Sequence, residues 1–434
     1  MESPGLARRL GPFDAAAIIV SNVIGGGILF TPPQVAASVP SAAWFLATWL
    51  VGGVLAFVGA MAYAELATLR PRAGGEYVYL DAAFGRLAAF LTGWTSFVAG
   101  FSGAIAASSV VFAFYLQRFV PALPTKAAAL LLIALMAAIH IRGIGPGRIV
   151  GNILAALKVT ALVLFIAVGF ALGVGSTANL EAAAAPVHAG SWLLALVPVM
   201  FTYTGWNAAG YVAEEIRDPD RNLPRSLAIG TMTVVAIYVL LNALYLYVLP
   251  VGSLAGIRGS VLDVIADRLL GVRAGNVMGV VSLISLAASV SAMTIAGPRV
   301  YFAMARDGVF FDAVARLHPR YRTPAVAIAA QAVWSAILVL SGGADALIRY
   351  TGFAVILFSG VAVVALFVLR RQAPRERRPF SATGYPVAPA IFAGASFLIV
   401  ANAIYGDPWP SGAGVLIILA GIPVYAIFAA RRRS

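Results

Sequence analysis

The chain has 434 residues, 61% of them hydrophobic and 11% charged, with a mean hydropathy of +0.92. Soluble domains carry about a quarter charged residues, so this composition excludes an ordinary soluble enzyme or binding module and predicts one membrane domain. The net charge of +13 would suggest nucleic acid in a soluble protein. Here the basic residues collect in loops on one side of the expected membrane, which makes them an orientation signal and argues against a nucleic-acid partner.

Apolar runs near the ~20 residues needed to cross a bilayer recur along the chain and are read as twelve spans. Spans 1 and 2 are expected at 13–38 and 41–67, followed by a short amphipathic segment at 76–85. Spans 3, 4 and 5 follow at 87–117, 125–142 and 148–173. After a polar loop, spans 6 and 7 occupy 191–215 and 226–249. Ser260 to Leu270 reads as an amphipathic helix with Val261, Leu262, Ile265 and Leu269 on one face. Spans 8 to 12 are expected at 275–305, 324–341, 345–369, 387–405 and 412–430.

With the N-terminus inside and the spans alternating, Arg8, Arg9, Arg70, Arg72, Arg148, Arg217, Arg306 and the cluster Arg370 to Arg378 lie on the inner side. Arg118, Lys126, Arg258 and Arg349 lie outside. This bias predicts a multi-pass cell-membrane protein with both tails, 1–12 and 431–434, in the cytoplasm. The first dozen residues are too short and polar for a cleaved signal peptide, so span 1 is expected to stay. Of the 30 basic residues only Lys126 and Lys158 are lysines, a preference expected of a GC-rich bacterial genome. The absence of cysteine excludes a disulfide-linked partner subunit, thiol chemistry and cysteine-ligated zinc.

Two spans carry interruptions about twelve residues from their starts. Span 1 contains Val23-Ile24-Gly25-Gly26-Gly27-Ile28, and span 6 contains Phe201-Thr202-Tyr203-Thr204-Gly205-Trp206. Glycine runs also serve close helix packing, but matched interruptions five spans apart predict broken helices. Five spans per repeat is an odd number, so 13–173 and 191–369 would be inverted repeats, with 387–430 appended. Unwound backbone inside a membrane is tolerated only where protein, water or a ligand satisfies it.

The second half of span 1 would start with free amides at Gly26, Gly27 and Ile28, which suit a carboxylate. Carbonyls of Val23 and of Phe201 to Thr204 would suit an ammonium group. A site that takes both groups a few ångströms apart is a site for an α-amino acid. Phe201, Tyr203 and Trp206 are candidates for contacting the substrate side chain. Phe353, Phe358, Ser102, Ser108 and Ser109 are weaker ones, explained equally by packing.

Lys158 lies about ten residues into span 5, roughly 15 Å deep at 1.5 Å per residue. A charge at that depth is costly and usually faces the bundle interior with a task. The expectation is that Lys158 replaces a coupling cation and bridges spans 1 and 8 through Ser285 or Ser289. Protons are then the candidate coupling ion. Asp14, Glu65, Glu214 and Glu215 fall near span ends, so no carboxylate is expected at depth and neutral substrates are favoured. His140, His188 and His318 sit at span ends or in loops, giving no constellation for catalysis, metal or cofactor. An intramembrane enzyme is therefore disfavoured, and a passive channel would differ by lacking saturable counterflow.

Several motifs resemble the amino acid–polyamine–organocation superfamily, in particular its L-amino-acid transporter branch, over nearly the whole chain. Ser21 to Phe30 is similar to the family's span 1 signature, and Tyr63 to Leu66 with Pro71 to Leu80 to its first inner loop. Gly205-Trp206-Asn207, Glu214-Glu215 and Arg221 to Arg225 resemble span 6 and the loop beyond. Arg299 to Gly308, His318-Pro319 and Thr323-Pro324 match the region of spans 8 and 9. The resemblance implies an all-α LeuT-type fold with 5+5 inverted repeats, alternating access, and a lysine at Lys158 where sodium-coupled relatives bind sodium. It thereby implies sodium-independent transport of neutral L-amino acids, by exchange or proton symport. Antiport of an amino acid against an amine is the alternative. Gly26, where many members have Ser or Thr, is a departure that removes a hydroxyl from the carboxylate site.

Overall fold

The computed structural model describes residues 6–181, 187–271, 274–342, 344–406 and 408–431. The side chains of 343–353 lie outside that description, and Phe353 and Arg349 with them. Among the described residues the chain is helical, with a single isolated bridge between Leu10 and Ile216 and no strand. Eight helices are long and apolar enough to cross a membrane. A bent pair, Pro12–Val23 and Gly27–Ser38, forms a further crossing, and Thr125–Ile141, Ala189–Tyr203 and Ala325–Ser341 are shorter apolar helices. Together these are the twelve expected spans.

The two halves of span 1 meet at 50°. Each glycine in a helix interior costs roughly 0.5–1 kcal/mol relative to Ala, so three in succession make the unwinding cheap. In span 6 the first half ends at Tyr203, and Gly205 at φ +103° turns the chain before the short helix Ala208–Tyr211. The second half of span 6 is thus one helical turn and a 3₁₀ turn at Ala213–Glu215, shorter than the continuous run to 215 expected.

Two other elements differ from expectation. Span 7 begins at Pro219 rather than near 226, because proline at the first helical position is pre-set for helix and has no amide to lose. Span 3 is not a regular helix: Arg86–Thr95 and Phe101–Leu116 flank a π-helical turn at Ser96–Gly100. The Tyr301 hydroxyl donates to the Ser96 carbonyl in that turn (3.1 Å).

Burial sorts the spans. Of the most apolar 18 residues within Asn276–Arg306 of span 8, 83% are buried, against 17% for the corresponding window within Ser411–Ala430 of span 12. Span 8 packs on spans 1, 3, 4, 5 and 9 and forms the centre of the bundle. Leu131, Leu398 and Leu416 point outward, fully apolar and exposed, as lipid-facing residues do. The helix Val261–Leu270 buries Val261, Leu262, Ile265 and Leu269, the four residues expected on one face. The helix Glu76–Phe84 follows the glycine pair Gly74-Gly75, both at positive φ.

At the face of the bundle that carries Leu6 to Leu10, ion pairs stitch the elements together. Arg299 of span 8 forks onto Glu215 (2.9 and 3.1 Å), with both side chains 2% exposed. Glu214 accepts from Arg306 and from the amides of Leu6 and Ala73. Glu65 of span 2, Ala42–Leu69, binds Arg370 and the amide of Ala382. This is the basic face.

Candidate functional site

The breaks in spans 1 and 6 face each other across the middle of the bundle. Asn22 Nδ2 donates to the Gly205 carbonyl (3.3 Å), and Thr202 Oγ1 donates to Thr31 Oγ1 (2.9 Å). A Cβ on Gly27 would lie 3.2 Å from Thr202 Cα, and one on Gly205 only 2.7 Å from Asn22 Nδ2. Those two glycines are what allows the backbones to cross. Gly26 differs, since a Cβ there meets nothing within 4 Å.

A cavity of about 750 Å³ opens from this crossing away from the basic face, reaching Gln34, Asn402 and Ser411. Gly25, Gly26 and Gly27 form one wall, Phe201, Thr202 and Thr204 another, and Ser108 of span 3 lies opposite. The N-terminal turn of Gly27–Ser38 therefore ends at the cavity wall, where its first amides and positive dipole end favour an anion. The expected cation-binding carbonyls are partly engaged already. The Tyr238 hydroxyl donates to Val23 O (2.9 Å) and approaches Thr202 O (3.4 Å), while Phe201 O accepts from Thr204 N and Oγ1. A carbonyl has two lone pairs, so Val23 O keeps capacity for a further donor, whereas Phe201 O already accepts two bonds.

Behind the span 1 break sits Lys158 of span 5, Ile144–Ala171, fully buried. Its Nζ donates to Ile24 O, to Ser21 O (3.2 Å) and to Ser289 Oγ (3.5 Å). Ser289 itself donates toward Ser21 O (2.9 Å), Ile24 O (3.1 Å) and Ser285 O (3.1 Å). The expected bridge to span 8 thus runs through Ser289. Ser285 enters by its carbonyl and makes no bond to the lysine. The Lys158 Nζ thus sits in a nest of oxygens from Ser21, Ile24 and Ser289.

The aromatic candidates separate. Phe201 lines the cavity. Trp206 turns the other way, edge-on to Tyr63 (centroids 4.8 Å) and Phe392 (5.6 Å), and lines neither chamber. Tyr203 is buried between Trp49 and Tyr238, its hydroxyl donating to Trp49 O (3.1 Å). Phe358 lines a second, smaller chamber, and Ser102 and Ser109 are buried in packing.

That second chamber, about 170 Å³, lies below the first toward the basic face and shares Asn22, Ala104, Phe201, Thr204 and Met293 with it. Its wall includes Ser96 and Gly100 of the π-helical turn, and Glu76. The buried Glu76 carboxylate was not anticipated, because residues 76–85 read as a surface segment. The Gly74-Gly75 turn was the available signal, since it folds this segment back into the bundle. Burial raises the affinity of Glu76 for a proton above that of an ordinary carboxylate, against the opposing effect of four hydrogen-bond donors.

A helical bundle with two broken spans meeting at a membrane-depth cavity is the architecture of a secondary transporter. The chain belongs to the amino acid permease family, whose model matches residues 10–428. It is 27% identical to the serine/threonine exchanger SteT of Bacillus subtilis over 437 residues, covering 100% of this chain and 99% of that protein. It is 30% identical to the human cystine/glutamate transporter, covering 98% of this chain and 87% of the relative. It is also 30% identical to the mouse large neutral amino acids transporter small subunit 2, with 97% and 81% covered. The protein is accordingly a multi-pass membrane transporter and not an enzyme, and its helical architecture is consistent with the LeuT-type fold.

Proposed function

We propose that this chain carries neutral L-amino acids across the cell membrane by sodium-independent alternating access, with exchange as its mode. The observation that carries the reading is the crossing of the two breaks. Gly26 and Gly27, at the start of the second half of span 1, line the same cavity as Phe201, Thr202 and Thr204, while Ile28 is buried beside it. In this reading the substrate carboxylate sits on the amides of Gly26, Gly27 and Ile28. Its ammonium meets the carbonyls of Val23 and span 6, and its side chain lies against Phe201 and Ser108. Trp206 and Tyr203 support the break from behind.

Sodium independence rests on Lys158, whose ammonium fills the oxygen nest shared by Ser21, Ile24 and Ser289. The repeats 13–173 and 191–369 move against each other about this point, and the basic face is the cytoplasmic one, with both tails inside. Exchange is preferred over proton symport because a full-length relative is named an exchanger. Amino acid/amine antiport is the second reading, favoured by the carboxylate in the lower chamber.

The test is uptake of labelled neutral amino acids into proteoliposomes, empty or preloaded with unlabelled amino acid, without sodium. Uptake confined to preloaded vesicles is expected. Uptake into empty vesicles that a protonophore abolishes would replace exchange by proton symport, and a strict sodium requirement would overturn the role of Lys158. Strong acceleration by an internal amine would favour the second reading.

A further inference from the structure

The Glu76 carboxylate is buried without a countercharge. Its Oε1 accepts from the hydroxyl of Tyr63 (2.6 Å), from Asn207 Nδ2 (2.7 Å) and from Ser359 Oγ (3.5 Å), and Oε2 accepts from the hydroxyl of Tyr211 (3.0 Å). These partners come from span 2, the second half of span 6, and span 10, Ala344–Gln372. The titratable groups around it are tyrosines: Tyr63, Tyr79 on its own helix, and Tyr211, with Tyr301 of span 8 beside Tyr211. Among the described residues its hydrogen-bond partners are Tyr63, Asn207, Tyr211 and Ser359, none of them a lysine, arginine or histidine.

Such a carboxylate is held for a reason other than ion pairing. Three donors converge on Oε1 and one on Oε2, so the anion is held in place while Oε2 keeps a lone pair that a proton can take. Three of the four are hydroxyls, which can rotate and accept instead of donate. A protonated Glu76 therefore finds an acceptor in Tyr211 or Ser359 with no change of backbone, whereas a guanidinium partner would forbid protonation. The position adds a consequence. Glu76 ties its own helix to the short second half of span 6 at Asn207 and Tyr211, directly below the substrate crossing. Gly75 packs so closely on Tyr211 that a Cβ there would lie 2.5 Å from the ring.

We propose that Glu76 is a proton-binding site in the lower chamber, and that its protonation loosens the tie between the Glu76–Phe84 helix and span 6, so that the basic face opens faster. The effect on flux rests on the transport reading above, whereas the proton site does not. The site is distinct from Lys158, which lies behind the other break and bonds to backbone carbonyls and Ser289.

Two measurements on the full-length purified protein test this. Infrared difference spectra across a pH titration should contain a protonated-carboxyl band that is absent from Glu76→Gln. Its midpoint should lie above the ~4.3 of a free glutamate. Tyr211→Phe removes a donor to the anion and should raise that midpoint by about one pH unit. Ser359→Ala should raise it less, given the longer contact. In proteoliposomes with equal pH on both sides, exchange of labelled L-serine, or of L-leucine, should rise severalfold as pH falls through the midpoint. Glu76→Gln should be active and flat with pH.

A Glu76→Gln variant that keeps the wild-type pH profile overturns the proposal while leaving the transport reading intact. So does a missing band or a midpoint at the free value. If Glu76→Gln selectively loses lysine or ornithine transport with the pH profile unchanged, Glu76 is a substrate subsite and not a proton site. Should Glu76→Gln fail to fold, the midpoint shifts in Tyr211→Phe and Ser359→Ala decide the matter. No shift in either sinks it.

Discussion

Glu215 and Glu76 are both buried glutamates in the half of the bundle nearest the basic face, and the fold treats them in opposite ways. Glu215 is clasped by both arms of the Arg299 guanidinium, in a pair sealed from solvent. Glu76 has only neutral donors and borders a chamber. Breaking a buried ion pair from one side strands a charge, so such a pair can hold elements in place but cannot easily change state. A buried charge bonded by rotatable hydroxyls can change state. Lys158 is a third case, because two of its three partners are backbone carbonyls, which only accept, so the nest demands a donor permanently. The clasp, the mount and the switch are thus distinguished by what surrounds each charge.

The clasp should give the largest effect. Glu215→Gln is expected to cost about 3–5 kcal/mol of stability by leaving Arg299 buried and unpaired. Replacing both residues by Met should recover most of it, as read by thermal unfolding in detergent. Near-equal destabilisation in the single and double variants would mean that Glu215 acts as more than a clasp.

Lys158→Gln comes next. The amide can donate to one carbonyl but brings no charge, so exchange should fall at least about 100-fold, roughly 2.8 kcal/mol. An intact rate in proteoliposomes would show that the nest needs no cation.

The glycines of the breaks offer a sharper contrast within three residues. Gly27→Ala would press on the Thr202 backbone and should weaken substrate affinity about tenfold, a cost of about 1–3 kcal/mol for overpacking. Gly26→Ser has open space and adds a hydroxyl beside the proposed carboxylate position. It should leave stability unchanged and tighten binding by up to about tenfold. Equal effects at both positions in a binding titration would contradict the geometry.

The smallest effect belongs to the surface pair Arg70–Glu376 (2.5 Å), in which both side chains are about a third exposed. The hydrogen bond and charge of Arg70 hold the Glu376 carboxyl below its usual range. Its contribution is therefore present above the ordinary carboxylate pKa and lost as pH falls through the lowered value. Glu376→Gln should cost less than about 1 kcal/mol near neutral pH, and less still in high salt, by thermal unfolding.

The sequence by itself determined the twelve crossings, the two interruptions and the depth of Lys158. Each follows from local pattern: apolar length against bilayer thickness, runs of glycine against helix propensity, and a charge counted along a 1.5 Å rise. The basic-face motifs were also legible, although their roles as clasps, Arg299 with Glu215 and Arg306 with Glu214, were not. Tertiary structure alone decided which way side chains turn. In a membrane bundle apolar residues face both lipid and protein, so periodicity does not reveal that Trp206 packs on Tyr63 while Phe201 meets the cavity. In the π-helical turn of span 3 the Ser96 and Val98 carbonyls accept from Tyr301 and Trp334, residues more than 200 positions away. Glu76 reads as a surface residue until the Gly74-Gly75 turn folds it back on span 2 and two distant spans close around it, because burial is a property of the packing and not of the segment.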